Sequence, residues 1–325
     1  ASVNRGRPFC GSTGVSPVSL LIGYTGKMPV LQSCVSHPLI PTSQQMNPVD
    51  IRILYQDVDG CLNPEDGEPF GVELDWKPSE RQVAMLNKIS EAIDASPLEH
   101  WVINTGRHWE MFHYLADHLK TSKLRYFLLE HACVLYDRQQ EKYIDIESIL
   151  TSADLASLSK RYDKLHTIEA LLDWYDTVGK RKLEGLFDVE LPRLNKKANL
   201  SFAVPDGIDG DDLLRATEAE IRSDFSDTDC ACIEFFRSDR FIDIIPGIHK
   251  LDGIELMSAY LSMEKEQSLA MGDFLNDLPV FEAFPNVLCP ANAHPRIIEL
   301  TRSKGAGGIA SEHAYGKALL EFLKA

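Results

Sequence analysis

The chain has 325 residues, 44% of them hydrophobic and 25% charged, with a formal net charge of −16. That composition supports a packed core over most of the length and excludes a largely disordered chain. Its acidity repels phosphate backbones and anionic substrates, so nucleic-acid binding is disfavoured and a phosphate site must bring its own positive charge.

At roughly 100–200 residues per domain, the length suggests two domains, or one with a large insertion. Residues 1–49 hold no Asp or Glu, yet carry Arg5, Arg7 and Lys27 among many Ser and Thr. They read as a poorly ordered, non-catalytic leader. It is either an organellar import segment over residues 1–45 or, the preferred reading, sequence upstream of a true start at Met46. The apolar stretch around Val18–Gly23 is short and broken by Pro17, which argues against a secretory signal. No apolar run approaches the roughly 20 residues that span a bilayer.

From Ile51 onward, strand-like and helix-like segments alternate. Ile51–Gln56 is a short apolar strand. Ser79–Ile93 has helical spacing, with Val83, Leu86, Ile89 and Ile93 on one face. Trp101–Asn104 predicts a second strand, Trp109–Leu119 a helix and Tyr126–Leu129 a third strand. Ser268–Met271 and Asn286–Leu288 are further strands, and Tyr315–Leu323 is a closing helix. This alternation predicts an α/β fold with a parallel sheet covered on both faces, and ligands beyond the carboxyl ends of its strands.

The middle differs. Thr151–Leu165 and Ile168–Thr177 look helical, and Asn199–Val204 looks like a strand. Asp211–Ser223 looks like a helix capped among Asp209–Asp211. Cys230–Phe236 and Arg240–Ile245 suggest a hairpin turning at Ser238–Asp239. The expected organisation is a core over 50–134 and 246–325, interrupted by an α+β domain over 135–245. The seven cysteines are odd in number, scattered and without a CxxC pair. They argue against a disulfide framework or a zinc site and fit a reducing cytosol. Cys230 and Cys232 are expected on one face of a strand, as small core residues.

Four polar stretches carry candidate chemistry. Asp57-Val58-Asp59-Gly60 follows the first strand. Carboxylates two apart at a strand end suit a nucleophile, a general acid/base and a hard cation, and Gly60 permits a sharp turn. An acidic turn is the plain alternative. Asn104-Thr105-Gly106-Arg107 offers a hydroxyl and backbone N–H groups before a helix, a phosphate cradle or simply a capped turn. Lys250 can neutralise phosphate at a helix start, although a lone lysine is ordinarily a surface group. Gly272-Asp273-Phe274-Leu275-Asn276-Asp277 follows the Ser268–Met271 strand and suits ligation of a hard cation, or an N-cap.

In this order the four stretches resemble the motifs of the haloacid dehalogenase-like phosphatases, over roughly residues 51–325. The resemblance implies a Rossmann-like core with a mobile cap. Residues 61–104 leave little room for an insertion, whereas residues 108–249 include the α+β segment. The chain therefore resembles the subgroup with an α/β cap between the second and third motifs, which includes sucrose-phosphatase and Cof-like members.

The resemblance implies that Asp57 attacks phosphorus and that Asp59 protonates the leaving alcohol and later deprotonates water. Thr105, Gly106, Arg107, Lys250 and Asn276 would bind the phosphate. Mg2+ would be held by Asp57, Asp59 and Asp273, with Asn276 and Asp277 orienting its surroundings. Two departures stand out. Cys61 follows the first motif, where Thr or Ser is usual, and Glu130-His131-Ala132 replaces a common Glu-Asn-Gly beside the cap hinge. Arg193, Lys196, Lys197, Arg237 and Asp239 are candidates to meet the substrate from the cap, each more ordinarily a solvated charge.

The expected function is Mg2+-dependent hydrolysis of a small phosphate monoester, a sugar phosphate by preference. A hexose phosphomutase and a non-enzymatic binding protein are the alternatives. The expected partner is a small-molecule phosphate ester, with no nucleic acid or membrane. A cytoplasmic monomer or homodimer is expected.

Overall fold

The apolar run after Asp50 forms β1 (Ile53–Gln56), buried at every position, as a strand covered by helices on both sides must be. The computed structural model describes residues 50–324 except 74, 153–154 and 238–239. The other strands are β2 (His100–Asn104), β3 (Leu124–Leu129), β4 (Val134–Asp137), β5 (Lys142–Ile144), β6 (Leu200–Ala203), β7 (Glu234–Arg237), β8 (Phe241–Ile245), β9 (Ser268–Met271), β10 (Val287–Cys289) and β11 (Gly308–Ala310). Eight of them form one sheet in the order β11-β10-β9-β1-β2-β3-β4-β5. The pairs from β11 through β3 are parallel, and β4 and β5 add antiparallel strands at one edge.

Successive side chains of a strand face opposite ways, and this splits the core into two layers. Leu54, Trp101, Ile103 and Phe127 pack with Leu86, Ile89 and Leu319 on one face. Ile53, Tyr55, Val102 and Leu128 pack with Ile254, Met257 and Phe281 on the other. The helix Glu80–Ala95 buries Leu86, Ile89 and Ile93 of the expected face fully, while Val83 is only partly buried. Ser79 and Gln82 close a reciprocal capping box at its start.

From β1 the chain runs to β2 and β3 on one side, and much later places β9 on the other. The strand order therefore reverses at β1, and a crevice opens at the carboxyl ends of β1, β2 and β9. This is the α/β, Rossmann-like architecture expected.

Residues 146–245 contain a second sheet, β6-β8-β7, antiparallel throughout. Helices Leu165–Trp174 and Gly210–Asp224 supply Ile168, Leu171, Leu213 and Ile221 to its separate core, with Leu200, Phe202, Ile242 and Ile244 from the strands. Asp209 caps the second helix by accepting from the N–H groups of Asp211 and Asp212.

Three local expectations are corrected. β4 and β5 fall in the stretch expected to be inserted, yet they extend the large sheet. Thr151–Leu165 is not one helix: Ile146–Ser152 and Ala156–Tyr162 are separate helices. Cys230 ends a short helix, Asp227–Cys230, capped by the Ser226 hydroxyl, and β7 starts only at Glu234. Cys230 and Cys232 therefore share no strand face, because a local cap overrides their β-like spacing. The β7–β8 hairpin forms, and its expected turn at Ser238–Asp239 lies outside the described residues. So does the leader over residues 1–49.

Candidate active site

Asp57 continues β1 into the crevice. Its N–H donates to Met271 O at 3.0 Å, the last rung toward β9. Its carboxylate is buried; Oδ1 accepts from the Val58 N–H at 2.8 Å and Oδ2 lies 2.7 Å from Lys250 Nζ. Lys250 opens the helix Lys250–Leu261 and is 2% exposed, so it is no surface lysine. Its ammonium also lies 2.7 Å from Asp277 Oδ1.

Asp277 is used fully. Its second oxygen accepts from the N–H groups of Asp273 and Phe274 at 3.1 and 3.3 Å, which shapes the turn after β9. Carboxyl oxygens of Asp57, Asp273 and Asp277 all lie within 4.8 Å of one another.

Three buried or half-buried carboxylates thus face one buried ammonium. Burial, then the charges of Asp57 and Asp277, push the Asp273 carboxyl up to about 8. Burial also pushes Asp57 up to about 7 against the opposing pull of Lys250. Burial disfavours the Lys250 charge, but Asp277 and Asp57 outweigh it and raise that pKa above the ordinary lysine value. The oxygen-only donor set with excess negative charge fits a hard divalent cation.

Gly60 makes this approach possible. It adopts φ +76°, and a Cβ there would sit 2.0 Å from the Asp273 carboxylate. Two residues that the sequence reading passed over hold the turn. Asn63 accepts from the Gly60 N–H at 2.7 Å, and Asn292 donates to Gly60 O at 3.0 Å. Cys61 is fully buried, with its sulfur 4.0 Å from Asp273.

Asp59 points elsewhere. Its carboxylate, 55% exposed, forms a bidentate pair with Arg107 at 2.8 and 2.7 Å. Arg107 also donates to the carbonyls of Gly71 and Phe70. The guanidinium expected to bind phosphate is thus occupied in holding Asp59 and the loop before Trp76. Thr105 is buried at the end of β2, and its hydroxyl accepts from the Arg107 N–H at 3.2 Å. Asn276 is exposed at the rim.

A cavity of about 410 Å³ joins these groups. Asp57, Asp59, Thr105, Gly106, Arg107 and Asn276 line one side. Leu194, Lys196, Arg240, Phe241 and Asp243 close the other from the segment around β6 and β8. Of the five charged residues singled out there, Lys196 alone among the described ones lines this cavity. Arg193 pairs with Asp176, Arg237 pairs with Asp211, and Lys197 lies over the Tyr143 ring. Asp239 lies outside the described residues. Asp243 and Arg240 carried no sequence signal beyond their place in a hairpin strand.

Between β3 and β4 the backbone turns at Glu130, His131 and Ala132, with φ of 52°, 58° and 72°. The Glu130 carboxylate, 2% exposed, accepts from the N–H groups of Lys197 and Ala198.

The model of the haloacid dehalogenase-like hydrolases matches residues 75–309. The chain belongs to the haloacid dehalogenase-like hydrolases. Asp57 and Asp59 precede the matched stretch, and folding brings them to Lys250, Arg107 and Asp273 within it. Among solved structures, this hydrolase is similar to protein 0175 of Thermoplasma acidophilum at 17% identity and a TM-score of 0.53. That alignment covers 84% of this chain and 97% of the other. A haloacid dehalogenase-like hydrolase of Bacteroides thetaiotaomicron gives 16% identity, a TM-score of 0.51 and coverage of 84% and 98%. The sucrose-phosphatase of Synechocystis, solved with sucrose and phosphate, gives 15%, 0.50, and coverage of 84% and 96%. Identities this low speak to the fold. No curated protein matches the chain. Among the described residues, no helix is long and apolar enough to cross a membrane.

Proposed function

We propose that this hydrolase is a Mg2+-dependent phosphatase acting on a small phosphate monoester, a sugar phosphate by preference. The observation that carries the reading is the Asp57 carboxylate, held 2.7 Å from a buried Lys250 at the floor of a 410 Å³ cavity. A carboxylate fixed in this way is a nucleophile with its counter-charge built in.

In the proposed reaction, Asp57 attacks phosphorus and the bond to the leaving alkoxide breaks, giving an aspartyl phosphate. Asp59 gives the alcohol its proton, then takes one from the water that releases inorganic phosphate and restores Asp57. Arg107 sets the position of Asp59 through two parallel hydrogen bonds. Lys250 offsets phosphoryl charge, and Thr105 and Gly106 line its approach. The carboxylates of Asp57 and Asp273, with the main-chain carbonyl of Asp59, would hold Mg2+. When bound, the cation supplies charge neutralisation for the phosphoryl oxygens.

Residues 146–245 act as a cap in this reading. Leu194, Lys196 and Phe241 already face Asp57 across the cavity, and a cap excludes water during transfer.

The test is phosphate release from an aryl phosphate and from hexose phosphates with Mg2+, for wild type and Asp57→Asn. Loss of turnover in the variant is expected; equal turnover sinks the mechanism. Conversion of a hexose phosphate to its isomer without phosphate release would instead make the protein a mutase.

A further inference from the structure

The cavity wall facing Asp57 has a charge pattern of its own. Each cation lining the cavity already has a carboxylate partner. Arg107 grips Asp59, Lys196 Nζ lies 2.7 Å from Asp243, and Arg240 reaches Glu73 at 3.6 Å. Among the described residues, a second phosphate or a carboxylate on the substrate would find no cation on this wall without a carboxylate partner. It would meet Asp243 instead, whose carboxyl is held below its ordinary value, against its burial, by the Lys196 ammonium and the Ser201 hydroxyl.

His131 completes this wall. Its backbone N–H donates to Thr105 O at 3.1 Å, which ties it to the phosphate end of the cavity. Its ring presses on Gly106, where an added Cβ would lie 2.8 Å from two ring atoms. The ring thus has a fixed place beside Thr105 and Gly106, and it lines the cavity. Burial, then the charge of Lys196, pushes its pKa down to about 3, so the imidazole is neutral at neutral pH. A neutral imidazole offers one donor and one acceptor. Lys196 adds donors and Asp243 adds acceptors on the same wall. Mixed donors and acceptors without net spare charge match hydroxyl groups, which both give and take hydrogen bonds.

We propose that His131, with the Lys196–Asp243 pair, is the specificity-determining group of this site and selects phosphate monoesters of neutral polyols over substrates bearing a second anion. This rests on the phosphatase reading and adds the class of leaving group. His131 touches the alcohol part of the substrate and takes no part in phosphoryl transfer.

The test uses the full chain with Mg2+ and four probes: a hexose monophosphate, a hexose bisphosphate, phosphoglycerate and nitrophenyl phosphate. Wild type should show a higher kcat/KM on the monophosphate than on the bisphosphate or phosphoglycerate. In His131→Ala, the ratio of kcat/KM for hexose monophosphate to that for nitrophenyl phosphate should fall about tenfold or more, mainly through KM. The aryl ester has no aliphatic hydroxyls, so the ratio cancels general damage to the site. Should His131→Ala fail to fold, Lys196→Gln is read by the same ratio with the same expectation. A ratio unmoved by the substitution overturns the inference and leaves the phosphatase reading standing. So does a wild-type preference for the bisphosphate or phosphoglycerate. Absence of phosphate release from all four probes overturns both.

Discussion

Lys250 Nζ lies 2.7 Å from both Asp57 Oδ2 and Asp277 Oδ1, and all three side chains are buried. One ammonium thus joins the carboxylate at the end of β1 to the turn that follows β9. Removing it strands two carboxylates in the interior. Lys250→Met should cost about 3–5 kcal/mol of stability, the usual cost of breaking a buried ion pair from one side. Turnover should fall by roughly two to three orders of magnitude, as when one donor to a transition state is lost. Urea denaturation and kcat check the two effects separately, and an unchanged midpoint would show that the pair carries no structural weight.

The raised carboxyls predict proton release on cation binding. Asp57 and Asp273 are pushed up to about 7 and about 8, so near neutral pH each retains a share of its proton. A divalent cation binds the ionised form and must displace those protons. Affinity for Mg2+ should therefore rise with pH through the window from about 7 to about 8. Calorimetric titration at pH 7 in two buffers of different ionisation heat measures the release directly; identical heats in both would contradict it. Asp273→Asn should bind Mg2+ more weakly and release fewer protons.

Gly60 is irreplaceable for two reasons that can be separated. Its φ of +76° costs an L-residue about 1–2 kcal/mol, and a Cβ would also strike the Asp273 carboxylate. Gly60→Ala should lose at least that stability and also require more Mg2+ for half-maximal turnover. A variant with lower stability but an unchanged Mg2+ requirement would mean that Asp273 is not displaced.

Glu130 fastens the segment that carries Lys196 to the end of β3. Its carboxylate accepts from the amides of Lys197 and Ala198, the shorter bond being 2.7 Å. Glu130→Ala leaves the buried Ala198 N–H and the part-buried Lys197 N–H without their acceptor, at about 1–3 kcal/mol. Amide hydrogen exchange at Lys197 and Ala198 should accelerate well beyond that at Leu54 or Val102 in the central strands. Uniform acceleration across the chain would indicate global destabilisation instead.

Much of the core was legible from local pattern. Strands such as Ser268–Met271 announce themselves by short apolar runs, and the spacing of Leu86, Ile89 and Ile93 announces a helix. The insert was less legible. Cys230 had strand-like neighbours, yet Ser226 captured it in a capped turn. Residues 134–144 join the large sheet because its exposed edge beside β3 offers them hydrogen bonds, a fact about the edge and not about those residues.

The sequence by itself determined which groups are candidates for the chemistry, because Asp57, Asp59, Thr105, Lys250 and Asp273 each sit at a fixed local offset from a strand or a helix start. Tertiary structure decided their partners: Arg107 on Asp59, Lys250 between two acids, Lys196 and Asp243 facing the cavity beside His131. Local offsets are set by backbone geometry within a few residues. Charge pairing and burial depend instead on which distant elements the packed core brings within a few ångströms.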